Sequence, residues 1–173
     1  IYGPKGVGGL VINNDSIQIF PLVFGGNQER GLRSGTLPTQ QIVGMSEAFK
    51  LIPQMLQKNE FYHHWKNNIF ELLTTKYSKK VKINSFNKSV PNLLSFSVID
   101  FDWDELFNRL NKIAVSNGSA CNAKTKNPSH VLKAMGLNND LALSTIRLSM
   151  GLQTTNEEME FVIDYLDKQL NQL

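Results

Sequence analysis

The period of the apolar positions changes along the chain, and the changes mark its elements. Gly6-Val7-Gly8-Gly9-Leu10-Val11-Ile12 reads as a glycine-rich approach to a buried strand, closed by the turn Asn13-Asn14-Asp15. Residues 17–20 and 22–24 form a second extended stretch, bent or placed at an edge by Pro21. From Thr39 the period becomes helical, with Ile42, Val43, Met45, Phe49 and Ile52 on one face, and Pro53 is expected to kink or restart that helix. The pattern resumes through Met55, Leu56, Trp65, Ile69, Phe70 and Leu73, a long helical connector at which a domain change is expected. Beyond it the chain reads as α+β. Leu93-Leu94-Ser95-Phe96-Ser97-Val98-Ile99 is a strand, and Asp102 caps a helix with Glu105 three residues on and Leu106, Phe107 and Leu110 on the apolar face. Asn127-Pro128 offers a helix N-cap with proline at the first position, and Gly136 a stop. Thr145-Ile146-Arg147-Leu148-Ser149-Met150 is a strand. Thr155-Asn156-Glu157-Glu158 is a capping box for a last helix, with Met159, Val162, Ile163, Leu166 and Leu170 in one stripe.

Composition narrows the function classes. With 173 residues, 41% of them hydrophobic, the chain can bury one sizeable core or two small ones. Its single cysteine excludes an internal disulfide framework and fits a reducing, cytoplasmic setting. No apolar run is long enough for a membrane helix. A net charge of +3, with dispersed lysines and no interleaved aromatic platforms, gives no footprint for direct nucleic-acid binding. The three Asn-x-Ser sequons, at Asn14, Asn87 and Asn117, read as chance matches. The start at Ile1 has neither an initiator methionine nor a signal-peptide pattern, and reads as the interior of a longer protein.

Three places could carry chemistry. Cys121 lies among Gly, Ser, Ala, Asn and Lys, a polar loop whose Lys124 and Lys126 favour the thiolate; the alternative is an inert small residue at a loop edge. The loop Gly25-Gly26-Asn27-Gln28-Glu29-Arg30-Gly31-Leu32-Arg33-Ser34-Gly35-Thr36 brings backbone N–H groups and the Thr36 hydroxyl within reach of an anion, or is an ordinary surface turn. Arg147, inside a strand, must find a carboxylate, either a substrate's or a structural one. His63, His64 and His130 lack companions at ligand spacing and read as surface or packing residues rather than a metal site. Glu157 and Glu158 belong to the cap. No carboxylate dyad, serine triad, Walker motif or dinucleotide fingerprint is present.

Taken in order, these segments resemble one family. Ile1-Tyr2-Gly3-Pro4-Lys5-Gly6-Val7-Gly8-Gly9-Leu10 is similar to the stretch after the cofactor lysine in class V aminotransferase-fold enzymes. The Gly25 to Thr36 loop resembles the Gly-Gly-x-Gln-Glu…Arg-Ser-Gly-Thr segment of cysteine desulfurases. Ser119-Ala120-Cys121 followed by Pro128-Ser129-His130-Val131-Leu132 resembles their catalytic-cysteine loop, in the long-loop housekeeping and nitrogenase-associated branch. Residues 146–151 and 154–158 extend the match toward the C-terminus.

The resemblance implies an α/β fold: the C-terminal part of a class V, fold type I transferase dependent on pyridoxal 5'-phosphate. Residues 1–52 would be the end of the large-domain sheet, 53–80 a connector helix, and 81–173 a small α+β domain carrying the cysteine loop. It implies that Cys121 is the nucleophile that takes sulfur from L-cysteine, leaving L-alanine and a persulfide. Arg147 would grip the substrate carboxylate, and Thr36 would reach the cofactor phosphate of the other subunit of a homodimer. An iron–sulfur scaffold or a tRNA-thiolation protein would accept the sulfur. The family's cofactor lysine falls immediately before Ile1, and Lys5 is not that residue, so the isolated chain is expected to be inactive. Asn27 and Leu152 depart from the glycine and the basic residue common at those places, and Pro53 interrupts a helix that usually runs on. Rival readings are another class V enzyme, such as a selenocysteine lyase or an aminotransferase, and a non-catalytic dimerising or acceptor-binding module.

Overall fold

The computed structural model of the chain describes residues 1–14, 16–85, 89–116 and 127–173. They form two compact units, Ile1–Leu56 and Gln57–Leu173.

In the first unit the helical period becomes α1 (Thr39–Phe49) and α2 (Ile52–Gln57). Pro53 lies in the first turn of α2, where its missing N–H would have had no helical partner. The start of the chain lies close on α1: a Cβ on Gly44 would come within 3.1 Å of the Pro4 ring. The strands expected at residues 10–12, 17–20 and 22–24 are not formed. A strand exists only as half of a hydrogen-bonded pair, and no described backbone pairs with these segments as a ladder. Their apolar side chains are correspondingly open, Leu22 being 95% exposed.

The second unit is built on a three-stranded antiparallel sheet in the order β1 (Val81–Ile83), β2 (Leu93–Val98), β3 (Thr145–Ser149). Alternation turns Val81, Leu94, Phe96, Val98 and Ile146 to one face. There they meet Trp65, Ile69 and Leu73 of α3 (Asn59–Lys76) and Met159, Leu166 and Leu170 of α7 (Asn156–Asn171) in one core. Each of these fully buried apolar side chains contributes roughly 1.5–3 kcal/mol. The capping box is formed: Thr155 Oγ1 accepts the Glu158 N–H at 3.2 Å, and Glu158 Oε2 accepts the Thr155 N–H at 3.0 Å. Asp102 caps α4 (Trp103–Arg109), its carboxylate accepting the N–H groups of Asp104 and Glu105 at 2.9 and 3.1 Å.

Two short helices, α5 (His130–Ala134) and α6 (Asn139–Leu143), hold a second small cluster of Leu132, Leu137 and Ala142. The cap of α5 differs from expectation. Ser129, extended at φ −57° and ψ 124°, caps the helix through its hydroxyl to Leu132 N–H, so Asn127-Pro128 precedes the cap. Gly136 does end the following turn, in the left-handed region at φ +89°. Phe70 and Phe107, expected on apolar faces, are 44% and 50% exposed; the stripes that α3 and α4 bury are narrower than their apolar content.

Candidate functional site

The other face of the sheet is polar. In the β2–β3 register Ser95 faces Arg147 and Ser97 faces Thr145, so all four side chains lie opposite the apolar core. Arg147 opens on a hollow of about 260 Å³, bounded on the polar side by Asn84, Ser85, Ser89, Ser95, Ser129 and Thr145 and on the apolar side by Leu93, Val131, Leu132 and Met135. Arg147 is the only charged residue among these, and no carboxylate is with it. Its one side-chain bond among the described residues runs from Nη2 to Ser116 Oγ, at 3.4 Å. A structural carboxylate partner for this strand arginine is therefore not found among the described residues, and Arg147 lines the hollow.

Cys121 lies outside the described residues, in segment 117–126. Of the described residues on either side of that segment, one pairs with Arg147 and another lines its hollow. Ser116 exchanges both backbone hydrogen bonds with it, Arg147 N–H to Ser116 C=O at 2.7 Å and Ser116 N–H to Arg147 C=O at 3.2 Å. On the far side Ser129 lines the same hollow.

Behind the hollow runs a buried chain of polar side chains. Asn84 Nδ2 donates to Ser97 Oγ at 2.8 Å, Ser97 Oγ lies 2.8 Å from Thr145 Oγ1, and Thr145 Oγ1 donates to the Leu141 carbonyl of α6 at 2.7 Å. Neither Asn84 nor Ser97 was singled out from sequence. The signal was present in Leu94-Ser95-Phe96-Ser97-Val98, whose serines alternate with apolar residues in phase with Thr145 and Arg147 across the antiparallel pair.

In the first unit, the loop from Gly25 to Thr36 is knit to itself. Ser34 Oγ donates to Gly26 C=O at 2.6 Å, Gly35 N–H to Gln28 Oε1 at 3.1 Å, and Arg33 Nη1 to Gly35 and Thr36 C=O at 3.0 and 3.3 Å. The chain reverses through Glu29, Arg30 and Gly31, all at positive φ. Thr36 itself is exposed, and its hydroxyl makes no hydrogen bond among the described residues, which leaves it free to donate to an anion.

The histidines are surface residues. His63 and His130 are exposed, and His64 lies edge-on to Trp65 and 3.1 Å from Asn68 Nδ2. Among the described residues no group of His, Cys, Asp and Glu could hold a metal ion, and no helix is long and apolar enough to cross a membrane. A larger hollow of about 500 Å³ opens on the apolar face between Ile69, Leu148 and Val162, with Lys66 and Lys112 among the residues around it. Burial holds the Lys66 ammonium below its ordinary pKa, although its Nζ donates to Ser89 Oγ at 2.6 Å.

Comparison with known proteins bears on what such an arrangement does. The family model for class-V aminotransferases matches residues 1–162. The cysteine desulfurase IscS of Buchnera aphidicola is 37% identical over 176 aligned positions, and that of Salmonella typhi 39%; each alignment takes in the whole of this chain but 43% of the relative. Among solved structures, a NifS-like protein superposes with a TM-score of 0.78 at 31% identity over 99% of this chain and 44% of its own. SspA in complex with cysteine superposes with a TM-score of 0.51 at 31% identity over 79% of this chain and 37% of its own. The chain thus spans less than half the length of the relatives it matches. The family model runs through both units, from the opening Gly-Pro-Lys-Gly turn past the Arg147 strand and into α7, and on that match the chain belongs to the class-V aminotransferase family.

Proposed function

We propose that the chain is the C-terminal portion of a cysteine desulfurase that uses pyridoxal 5'-phosphate, converting L-cysteine to L-alanine and leaving its sulfur as a persulfide on Cys121. One observation carries the reading. An arginine with no carboxylate partner among the described residues lines a hollow large enough for a small amino acid, and of the residues on either side of the segment bearing the sole cysteine, Ser116 pairs with that arginine and Ser129 lines the hollow. Cysteine bound to SspA, a structure this chain resembles, fits the same substrate class.

Arg147 holds the substrate carboxylate through its planar fork, which sets the amino acid's orientation in the hollow. Ser85, Ser89 and Ser95 supply neutral hydroxyls, so nothing in the lining competes for the guanidinium. Cys121, the fifth residue after Ser116, lies within about 17 Å of it by covalent reach, enough to span the hollow. Its thiolate takes the sulfur: an S–S bond forms as the substrate's C–S bond breaks, giving alanine and Cys121 persulfide with atoms in balance. When bound, the cofactor supplies the electron sink that loosens the substrate's bonds. The residues present fit its phosphate, since Thr36 offers a free hydroxyl beside the Arg33 guanidinium, and in a homodimer that hydroxyl serves the partner subunit's cofactor. In this reading residues 1–52 close the large domain, 53–80 connect, and 81–173 form the small domain. The persulfide then passes to an iron–sulfur scaffold or a tRNA-thiolation protein in the cytoplasm.

The test is made on the complete protein that contains this chain. Cys121→Ser is expected to abolish alanine and sulfide formation from L-cysteine. Retained transamination in the absence of any desulfuration by the unchanged protein would overturn the proposal in favour of an aminotransferase.

A further inference from the structure

The buried chain Asn84–Ser97–Thr145 has no role in the chemistry above, and its geometry is ordered in one direction. The Leu141 carbonyl can only accept, so the Thr145 hydroxyl donates to it. Ser97 must then donate to Thr145 and accept from the Asn84 amide, which fixes that amide's orientation and leaves Asn84 Oδ1 buried without a partner among the described residues. Ser97 and Thr145 are 0% and 1% exposed and Asn84 is 4% exposed. Apolar side chains would fill this layer at less desolvation cost, and the small cluster of Leu132, Leu137 and Ala142 on α5, α6 and the turn between them shows that the chain does so nearby. What apolar contact does not supply is a unique register. The chain joins the residue after β1, the end of β2 and the start of β3 to α6, and Thr145 is two residues from Arg147 on the same side of β3.

We infer that Thr145, held by Ser97 and Asn84, is a positioning residue for Arg147, setting the height of β3 over α6 and so the place of the guanidinium in the hollow. The inference rests on the reading of Arg147 as the substrate-carboxylate residue. It deepens that reading: carboxylate affinity is set from the wall of the hollow, by a Thr145 hydroxyl already bonded to Ser97 and the Leu141 carbonyl and so acting through Arg147. A displaced guanidinium weakens substrate and product alike, since both carry the carboxylate, and leaves the saturated rate in place.

The test compares variants of the complete protein with its cofactor bound, reading KM and kcat for L-cysteine, the inhibition constant of L-alanine, and the melting temperature. Thr145→Val keeps the shape and removes the hydroxyl; it is expected to raise both KM and the alanine inhibition constant about tenfold with kcat within about twofold. Thr145→Ser, which restores the hydroxyl, should return both constants to within about twofold of the unchanged protein. Should Thr145→Val fail to fold, Ser97→Ala interrupts the same chain and is expected to raise both constants in the same proportion. Unaltered KM and alanine inhibition in whichever of these variants folds, with or without a lower melting temperature, would show a purely structural chain and overturn the inference. Arg147→Leu separates the two levels. If it too leaves KM unaltered, the carboxylate reading of Arg147 itself has failed; if it raises KM while the hydroxyl variants do not, only the positioning role has.

Discussion

Replacing Arg147 should separate binding from stability more sharply than any other change in the chain. The side chain is exposed and makes one long bond, 3.4 Å to Ser116 Oγ, with no ion pair among the described residues. A surface substitution of that kind shifts stability by no more than about 0.5 kcal/mol, or about 2 °C in melting temperature for a chain of this size. The backbone bonds between Arg147 and Ser116 are untouched by a side-chain change. On the proposed reading, a substrate carboxylate held by Arg147 is worth far more. A hydrogen bond to a charged group contributes about 1.5–3 kcal/mol, which is about 10- to 150-fold in affinity. Arg147→Leu removes all of it, whereas Arg147→Lys keeps a charge and loses the fork, so the lysine variant should fall near the lower end of that range. The assay is initial-rate alanine formation by the complete protein over a range of L-cysteine concentrations, paired with a thermal melt of the same preparation. A KM for Arg147→Leu within twofold of the unchanged protein would refute the carboxylate assignment. So would a rise in KM accompanied by a loss of stability well beyond 0.5 kcal/mol, because the side chain would then be holding the fold.

Three further outcomes follow from the second unit. Thr155→Ala opens the capping box of α7 and should cost about 1 kcal/mol, read as a lower urea midpoint with unchanged slope. Leu166→Ala, at a position 0% exposed between α7 and the sheet, should cost about 2–5 kcal/mol by the same measurement. The third concerns pH. Lys76 Nζ, 2.7 Å from both Asp167 oxygens, and the Tyr77 hydroxyl hold the Asp167 carboxyl below the ordinary carboxylate range. A lowered folded-state pKa stabilises above the unfolded pKa and is lost as pH falls through the folded one. Asp167→Asn should therefore be less stable than the unchanged protein near neutrality, and the gap should close as pH drops below the carboxylate range. A gap that persists in acid would trace the effect to packing.

Elements whose two ends or faces are written in local chemistry were legible from sequence. The stripe of α7 with its Thr155 cap, the restart at Pro53 and the alternation of β2 and β3 each depend on residues a few positions apart. What failed depended on distant partners. Val11 and Phe20 have the composition of strand residues, but pairing is not a property of one segment. β1 and α6 escaped notice because three and five residues carry too little period to read. Of the candidate site, Arg147 was legible as a charge in a strand that needed a partner. Its surroundings were not, because Asn84, Ser95 and Ser129 come from three separate stretches that only the antiparallel register and the turn of α5 bring together. Cys121 stands where sequence alone put it, outside the described residues.

The reciprocal backbone pair between Ser116 and Arg147 makes the arginine the zero mark of a ruler. The number of residues to Cys121 is counted from a residue anchored to β3, so the largest separation of the two is a covalent quantity, independent of how the anchor is packed. One residue inserted between them lengthens that largest separation by about 3.5 Å and leaves the Ser116–Arg147 backbone pair as it is. On the proposed reading, the covalent span to the thiol and the hold on a substrate carboxylate are thus separately adjustable, the first by insertion and the second by substitution at Arg147.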